Sequence, residues 1–287
     1  MFNKTGLAVA LAGLALAIGA PGVASAEDPS LHGFADVSVK NDYITPRGLV
    51  VTTAGTTIQA LDGLVLDFPQ APGGLVTDVS VVGGTWMDWN PGYDHARNSE
   101  AFNEFDWFVG FNVKLGRDWK AGVQYVEFIS PQKAFKTERN VEFSLAFDDG
   151  PYMKPISFQP YVKLFYAASG DSTVVVGRKG GTFDVELGAT PSIDLHPYGA
   201  PLILSAPTWI TVGPSSFWGA GGSGVVSTGI KATYPIPGPA SAGHWSLYAG
   251  YQYYHLLNDR LVLAEQLLNG RSKHDLGLWS FGVGLGF

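Results

Sequence analysis

Asp275-Leu-Gly-Leu-Trp-Ser-Phe-Gly-Val-Gly-Leu-Gly-Phe287 is the stretch whose reading decides the fold. Taken with a period of two, one face carries Trp279, Phe281, Val283, Leu285 and Phe287, and the other Leu278, Ser280, Gly282, Gly284 and Gly286. Side chains alternate across a strand, so this is a strand with one bulky apolar face and one nearly bare face. A soluble sandwich turns its bulky face inward and shows polar side chains to water, where three glycines are out of place. A transmembrane barrel reverses this arrangement: large residues meet lipid, and small or polar ones meet a crowded lumen.

The same period recurs through the chain. Phe105, Trp107, Val109, Phe111, Val113 and Leu115 alternate with Asp106, Phe108, Gly110, Asn112 and Lys114. After the turn Gly116-Arg117-Asp118, Trp119, Ala121, Val123 and Tyr125 resume one face, which is the signature of a β-hairpin. Further alternating segments run through 140–148, 182–189, 226–234 and 244–253, and less regular ones through 32–41, 49–68, 76–88, 157–166 and 201–212. Together with the last strand these number about twelve, an even count as such barrels require. The expected fold class is all-β, a transmembrane antiparallel up-and-down β-barrel occupying 27–287.

Residues 1–26 read as a cleaved export signal: Lys4 is followed by an apolar run from Leu7 to Ile18, the break Pro21-Gly22, and the small-residue site Ala24-Ser25-Ala26. No later run approaches the length of a transmembrane helix, which leaves barrel strands as the way to span a bilayer. The chain has no cysteine and a formal net charge of −7. An acidic balance argues against nucleic acid as a partner.

With both termini on the periplasmic side, the outer connections are 42–48, 89–100, 130–137, 167–181, 213–224 and 258–275. The inner ones are 69–75, 116–118, 149–156, 195–200 and 235–243 and are shorter on average, as in outer-membrane barrels. Residues 259–268 alone have helical spacing and predict a short helix packed in the last outer loop. Trp119 and Trp245 follow inner turns, whereas Trp107, Trp209 and Trp279 lie near outer strand ends, giving two aromatic girdles at the membrane surfaces. Outer-membrane lipid is the implied surrounding.

The opposite faces predict a lumen lined by Asp36, Lys40, Glu104, Asp106, Lys114, Lys120, Glu138, Glu142, Asp148, Lys163, Asp184, Glu186 and Lys231. Acids exceed bases, which favours cations in a narrow bore. Interleaved Lys and Glu can equally pair off and fill the barrel. A lipase reading of His244-Trp245-Ser246 with Asn258 fails on parity, since His244 and Ser246 face the lumen and Asn258 lies at the far end of the same strand. No cofactor motif is present: the glycine-rich runs open no helix, and the six histidines lack ligand spacing.

Two stretches carry resemblances. The closing strand with its terminal Phe287 resembles the last strand of bacterial outer-membrane barrels, which implies recognition by the outer-membrane assembly machinery. Val39-Lys-Asn-Asp-Tyr43 followed by Arg47-Gly48 resembles the opening of the TorF-like family of proteobacterial outer-membrane porins. This implies a small passive channel for small hydrophilic solutes, with Asn41, Asp42 and Arg47 at its outer mouth as turn residues. The competing expectation is a structural or surface-interaction barrel with a closed lumen. Neither reading bears on oligomeric state.

Overall fold

The computed structural model describes residues 28–53, 55–69, 74–92, 101–170, 180–219 and 221–287. The expected signal at 1–26 lies outside these residues, as do parts of the 89–100 and 167–181 connections.

Twelve strands form the wall: β1 Ser30–Lys40, β2 Thr57–Pro69, β3 Val76–Trp89, β4 Phe102–Leu115, β5 Trp119–Ile129, β6 Glu138–Phe147, β7 Tyr161–Ser169, β8 Thr182–Ala189, β9 Thr208–Gly213, β10 Gly222–Pro235, β11 His244–Leu256 and β12 Asp275–Gly286. Each pairs antiparallel with its sequence neighbours. The ring closes where β12 pairs β1, from Phe34 opposite Gly286 to Lys40 opposite Ser280. Phe287 extends this seam by exchanging two backbone bonds with Gly33, at 2.7 and 3.0 Å. The fold is therefore an up-and-down barrel with no free edge among these strands.

Sequence alternation sets the two faces. Leu64, Ile230 and Phe281 point outward at 51%, 58% and 60% exposure, among a belt that includes Val37, Val109, Phe143, Leu187 and Leu247. Their lumen-side neighbours Ser38, Gln59, Asp184 and Ser227 are buried. Apolar outside and polar inside is the pattern by which a strand ladder crosses a bilayer with its backbone bonds satisfied. Among the described residues no helix is long and apolar enough to cross.

Two strands expected as continuous, 157–166 and 201–212, are instead kinked. Ile156–Ser157, Ser192–Asp194 and Ile203–Ser205 continue the paths of β7, β8 and β9 and pair with one another and with β10. The breaks fall at Pro160, Pro191 and Pro207, which have no N–H to give to a ladder. Their carbonyls still accept, from Phe147 (3.0 Å), Ala206 (2.7 Å) and Gly229 (3.0 Å). At the first break the Asp149 carboxylate takes the N–H groups of Phe158 and Gln159, at 2.9 to 3.0 Å.

The bare face of β12 has a packing cause. A Cβ built on Gly282 would lie 2.3 Å from the Tyr248 ring. That ring is fixed by its hydroxyl on Asp36 (2.7 Å) and by the Lys231 ammonium 3.8 Å from its centroid. Gly282→Leu is expected to expel Tyr248 from this position at a cost of about 1–3 kcal/mol, the usual range for overpacking. Thermal loss of heat-modifiable electrophoretic mobility measures it. Adding Tyr248→Ala should restore most of the loss, and failure to do so would show that the glycine serves the backbone and not the ring.

Candidate functional site

The lumen is divided into a filled half and an open half. The 41–56 connection, expected to lie outside over 42–48 and to be strand from 49, folds into the barrel instead. Within it Tyr43–Ile44 and Val50–Thr52 form a two-stranded ribbon. Ile44 and Val50 are buried with Phe165, Ala167, Val225, Tyr254, Leu256, Leu276 and Leu278 from the wall. Burial of these apolar residues draws the segment inward.

Two helices complete the filling. Helix α1, Ser215–Trp218, inserts Phe217 and Trp218, both without exposed surface. Helix α2, Asp259–Asn269, is the one expected at 259–268; Asn258 caps it by accepting from the Arg260 N–H at 3.0 Å. It contributes Leu261 to the core and ties the inner segment through Asn269, which donates to the Val50 carbonyl and accepts from the Thr53 N–H.

The other half, toward the termini, is open. Asn112, Lys114 and Lys120 are exposed on its inward face, with Lys114 and Lys120 directly opposite each other. Around the inner segment, reaching Ala134 and Phe135 of the 130–137 connection, lies a cavity of about 620 Å³. Lys40, Glu104, Asp106, Glu138, Glu142, Lys163, Asp184 and Glu186 line it with Phe128, Phe165 and Tyr254.

Within the Asn-Asp-Tyr…Arg-Gly stretch, Asn41, Tyr43 and Arg47 are anchors. The Asn41 side chain accepts from the Trp279 N–H at 2.6 Å and donates to the Gly277 carbonyl, prolonging the β1–β12 seam. Tyr43 donates to Glu104 Oε2 at 2.8 Å. Arg47, expected at the mouth, lies deep in the lumen. Its Nε donates to Asp184 Oδ1 at 3.2 Å, its Nη2 to Glu142 Oε1 at 3.3 Å, and its guanidinium carbon stands 3.3 Å from the centroid of the Phe165 ring. Burial opposes the charge on Arg47, but Asp184, Glu142 and Glu186 hold it above its ordinary pKa. Gly48 turns with φ +85° where a side chain would press on Val225 and Leu256.

Asp36, Lys40, Glu104, Asp106, Lys114, Lys120, Glu142, Lys163, Asp184, Glu186 and Lys231 all stand on inward faces by the register of their strands. Glu104, Asp106, Glu142, Asp184 and Glu186 converge on the cavity, whereas Lys114 and Lys120 lie apart at the terminus end. Lys163 pairs with Glu186 at 3.3 Å. Lys40, donating to Gln59 at 2.5 Å, and Lys231, over the Tyr248 ring, stand on β1 and β10 near Asp36, so acids and bases are interleaved on both walls.

Asp88 was not among the expected residues. It is fully buried and accepts from Thr57, Gln59 and Asn103. Its place at the end of an irregular segment, beside Trp89, hid its parity.

Of the girdle residues, Trp107, Trp119, Trp245 and Trp279 point outward, the last 57% exposed and packed on Tyr251 with centroids 4.6 Å apart. Trp209 does not. It sits opposite Ser227 on the inward face, meets Tyr254 edge-on and donates its indole N–H to the Pro46 carbonyl at 2.9 Å. The register on β10 is unchanged across Pro207, from Ser205 opposite Lys231 to Trp209 opposite Ser227, so Trp209 shares the inward face of Ser205. His244 and Ser246 face inward beside Gly286 and Gly284, at the opposite end of β11 from Asn258.

No protein-family model and no curated protein matches the chain. Among solved structures it is similar to the outer membrane channel DcaP of Acinetobacter baumannii, at 11% identity and a TM-score of 0.40, covering 94% of this chain and 99% of that one. It is also similar to outer membrane phospholipase A from Escherichia coli, at 13% identity and a TM-score of 0.43, covering 88% and 92%. A bacterial polysaccharide outer membrane secretin scores 0.45 at 11% identity, covering 90% and 97%. These proteins differ in what their names say they do, and no activity is carried from them to this chain.

Proposed function

We propose that the protein is a narrow channel of the bacterial outer membrane for passive diffusion of small hydrophilic solutes, with a preference for cations. The observation that carries this reading is the cavity around the inner segment, where Glu104, Asp106, Glu142, Asp184 and Glu186 face Arg47, Lys40 and Lys163. Carboxylates in surplus within a confined bore concentrate cations and repel anions. The outward apolar belt and aromatic rims support a bilayer location, and the export signal read at 1–26 supports the outer membrane. On the same reading, Phe287 takes part in recognition by the assembly machinery.

Planar-bilayer recording under a potassium chloride gradient tests it. The expected reversal potential has the sign of cation selectivity, and Glu186→Gln with Glu142→Gln should move it toward zero. Anion-directed reversal would overturn the preference, and silence under all voltages would overturn the channel.

A second reading, a closed structural barrel, is favoured by the packing of Ile44, Val50, Phe217 and Trp218 across the loop end of the lumen. Efflux of small neutral solutes from liposomes separates the two readings, since a closed barrel passes none.

A further inference from the structure

We infer that Asp184, Glu142 and the Phe165 ring form a recognition site for a planar organic cation of the guanidinium class, which Arg47 occupies from within the chain. The inference deepens the channel reading by naming its solute class, and it rests on that reading only for passage.

The site is built as such a ligand requires. A guanidinium is flat, donates in its own plane and presents a weakly hydrated face. Here the two carboxylates take Nε and Nη2 while the ring covers the face of the group. Aromatic cover together with charge-assisted hydrogen bonds is the pairing by which organic cations are bound, and a hydrated alkali ion gains little from the ring. The Asp184 side chain is only 2% exposed, so it meets its cation out of bulk water.

A second observation points the same way. Asp106, on the same cavity, is only 7% exposed, and its Oδ1 has no hydrogen-bond partner. Oδ1 is enclosed, so the far end of a longer cation whose head replaces Arg47 would supply its missing donor once the Asp106 side chain turns toward the cavity.

Arg47 is carried on the inner segment, so site and strap are linked. A solute that takes the carboxylates releases the guanidinium that pins the strap to the wall. A neutral sugar or an anion has no means of doing so.

The test uses the full chain in detergent micelles and radiolabelled guanidinium chloride at millimolar concentration in equilibrium dialysis. Arg47→Ala is expected to bind it saturably, on the order of tenfold more tightly than the wild type, because the internal competitor is gone. Asp184→Asn in the same background should abolish that gain, and tetramethylammonium, which cannot donate, should not compete. Arg47→Gln, which keeps the stem against Phe165, is measured alongside in case the alanine variant does not fold.

Equal binding by wild type and both Arg47 variants, or competition by tetramethylammonium as effective as by guanidinium itself, would overturn the inference. Conductance of the same variants keeps the two readings apart. Guanidinium binding without current leaves the site standing and removes the channel, whereas current without guanidinium binding does the reverse.

Discussion

Replacing residues 42–56 by a single glycine is expected to raise the conductance of the barrel several-fold. Lys40 and Thr57 are cross-strand partners, so Asn41-Gly can close the hairpin as a two-residue turn of the type that twisted strands favour. What is lost is the strap, with Ile44 and Val50 from the core and Arg47 from the carboxylates. Each buried aliphatic side chain contributes about 1.5–3 kcal/mol. Each ordered strap residue, however, costs about 1–2 kcal/mol in backbone entropy. The ordering cost removed with the strap exceeds what its two core side chains contribute, and the twelve-strand ladder is untouched, so the shortened barrel should still fold. Single-channel recording in potassium chloride is the measurement. Conductance unchanged from wild type would mean that ions do not pass the strap, and the solute path would have to be drawn elsewhere.

Deleting Phe287 should sharply reduce the amount of barrel assembled in the outer membrane while leaving refolded protein only slightly less stable. The residue exchanges two backbone bonds with Gly33, and its ring lies so close that a Cβ on Gly33 would come within 2.2 Å of it. Typical net values of about 1 kcal/mol per hydrogen bond put the thermodynamic loss at roughly 2 kcal/mol. A twelve-stranded barrel tolerates that. An assembly defect much larger than the stability defect is therefore the sign of recognition by another protein, and the comparison needs both membrane fractionation and a refolding titration in vesicles. Equal, small effects on both would reduce Phe287 to a seam residue.

The wall was legible in the sequence because alternation is local. Every strand has one face fixed by lipid and the other by the lumen, and a slip of one residue would exchange them, so the period of two survives in composition alone. The bare face of the closing strand could be read for the same reason, since Gly282 leaves room for a tyrosine of the adjacent strand.

The interior was not legible. Ile44-Thr-Pro-Arg-Gly-Leu-Val-Val51 gives no period long enough to assign, and whether such a segment turns outward or inward is decided by contacts with Phe165, Val225 and Leu256 far along the chain. A cue was available: three consecutive apolar residues, Leu49 to Val51, are ill suited to a loop in water. Trp209 was misplaced for a different reason. It was assigned by its height near the outer end of its strand, whereas the apolar alternation of Leu202, Leu204, Ile210 and Val212 puts it on the other face.

The aligned breaks at Pro160, Pro191 and Pro207 also bear on the mechanics of the shell. Three neighbouring strands bend at one height, each with a missing donor, while β1 to β5 run unbroken through the opposite wall. The cylinder therefore has one compliant flank and one stiff flank. Amide hydrogen exchange should be fastest along that line, and lateral pressure from the bilayer should flatten the barrel there. Lys163 and Glu186 stand on two of these strands just beyond the breaks, so a squeeze at the soft flank should displace this ion pair without breaking a full-length strand pair.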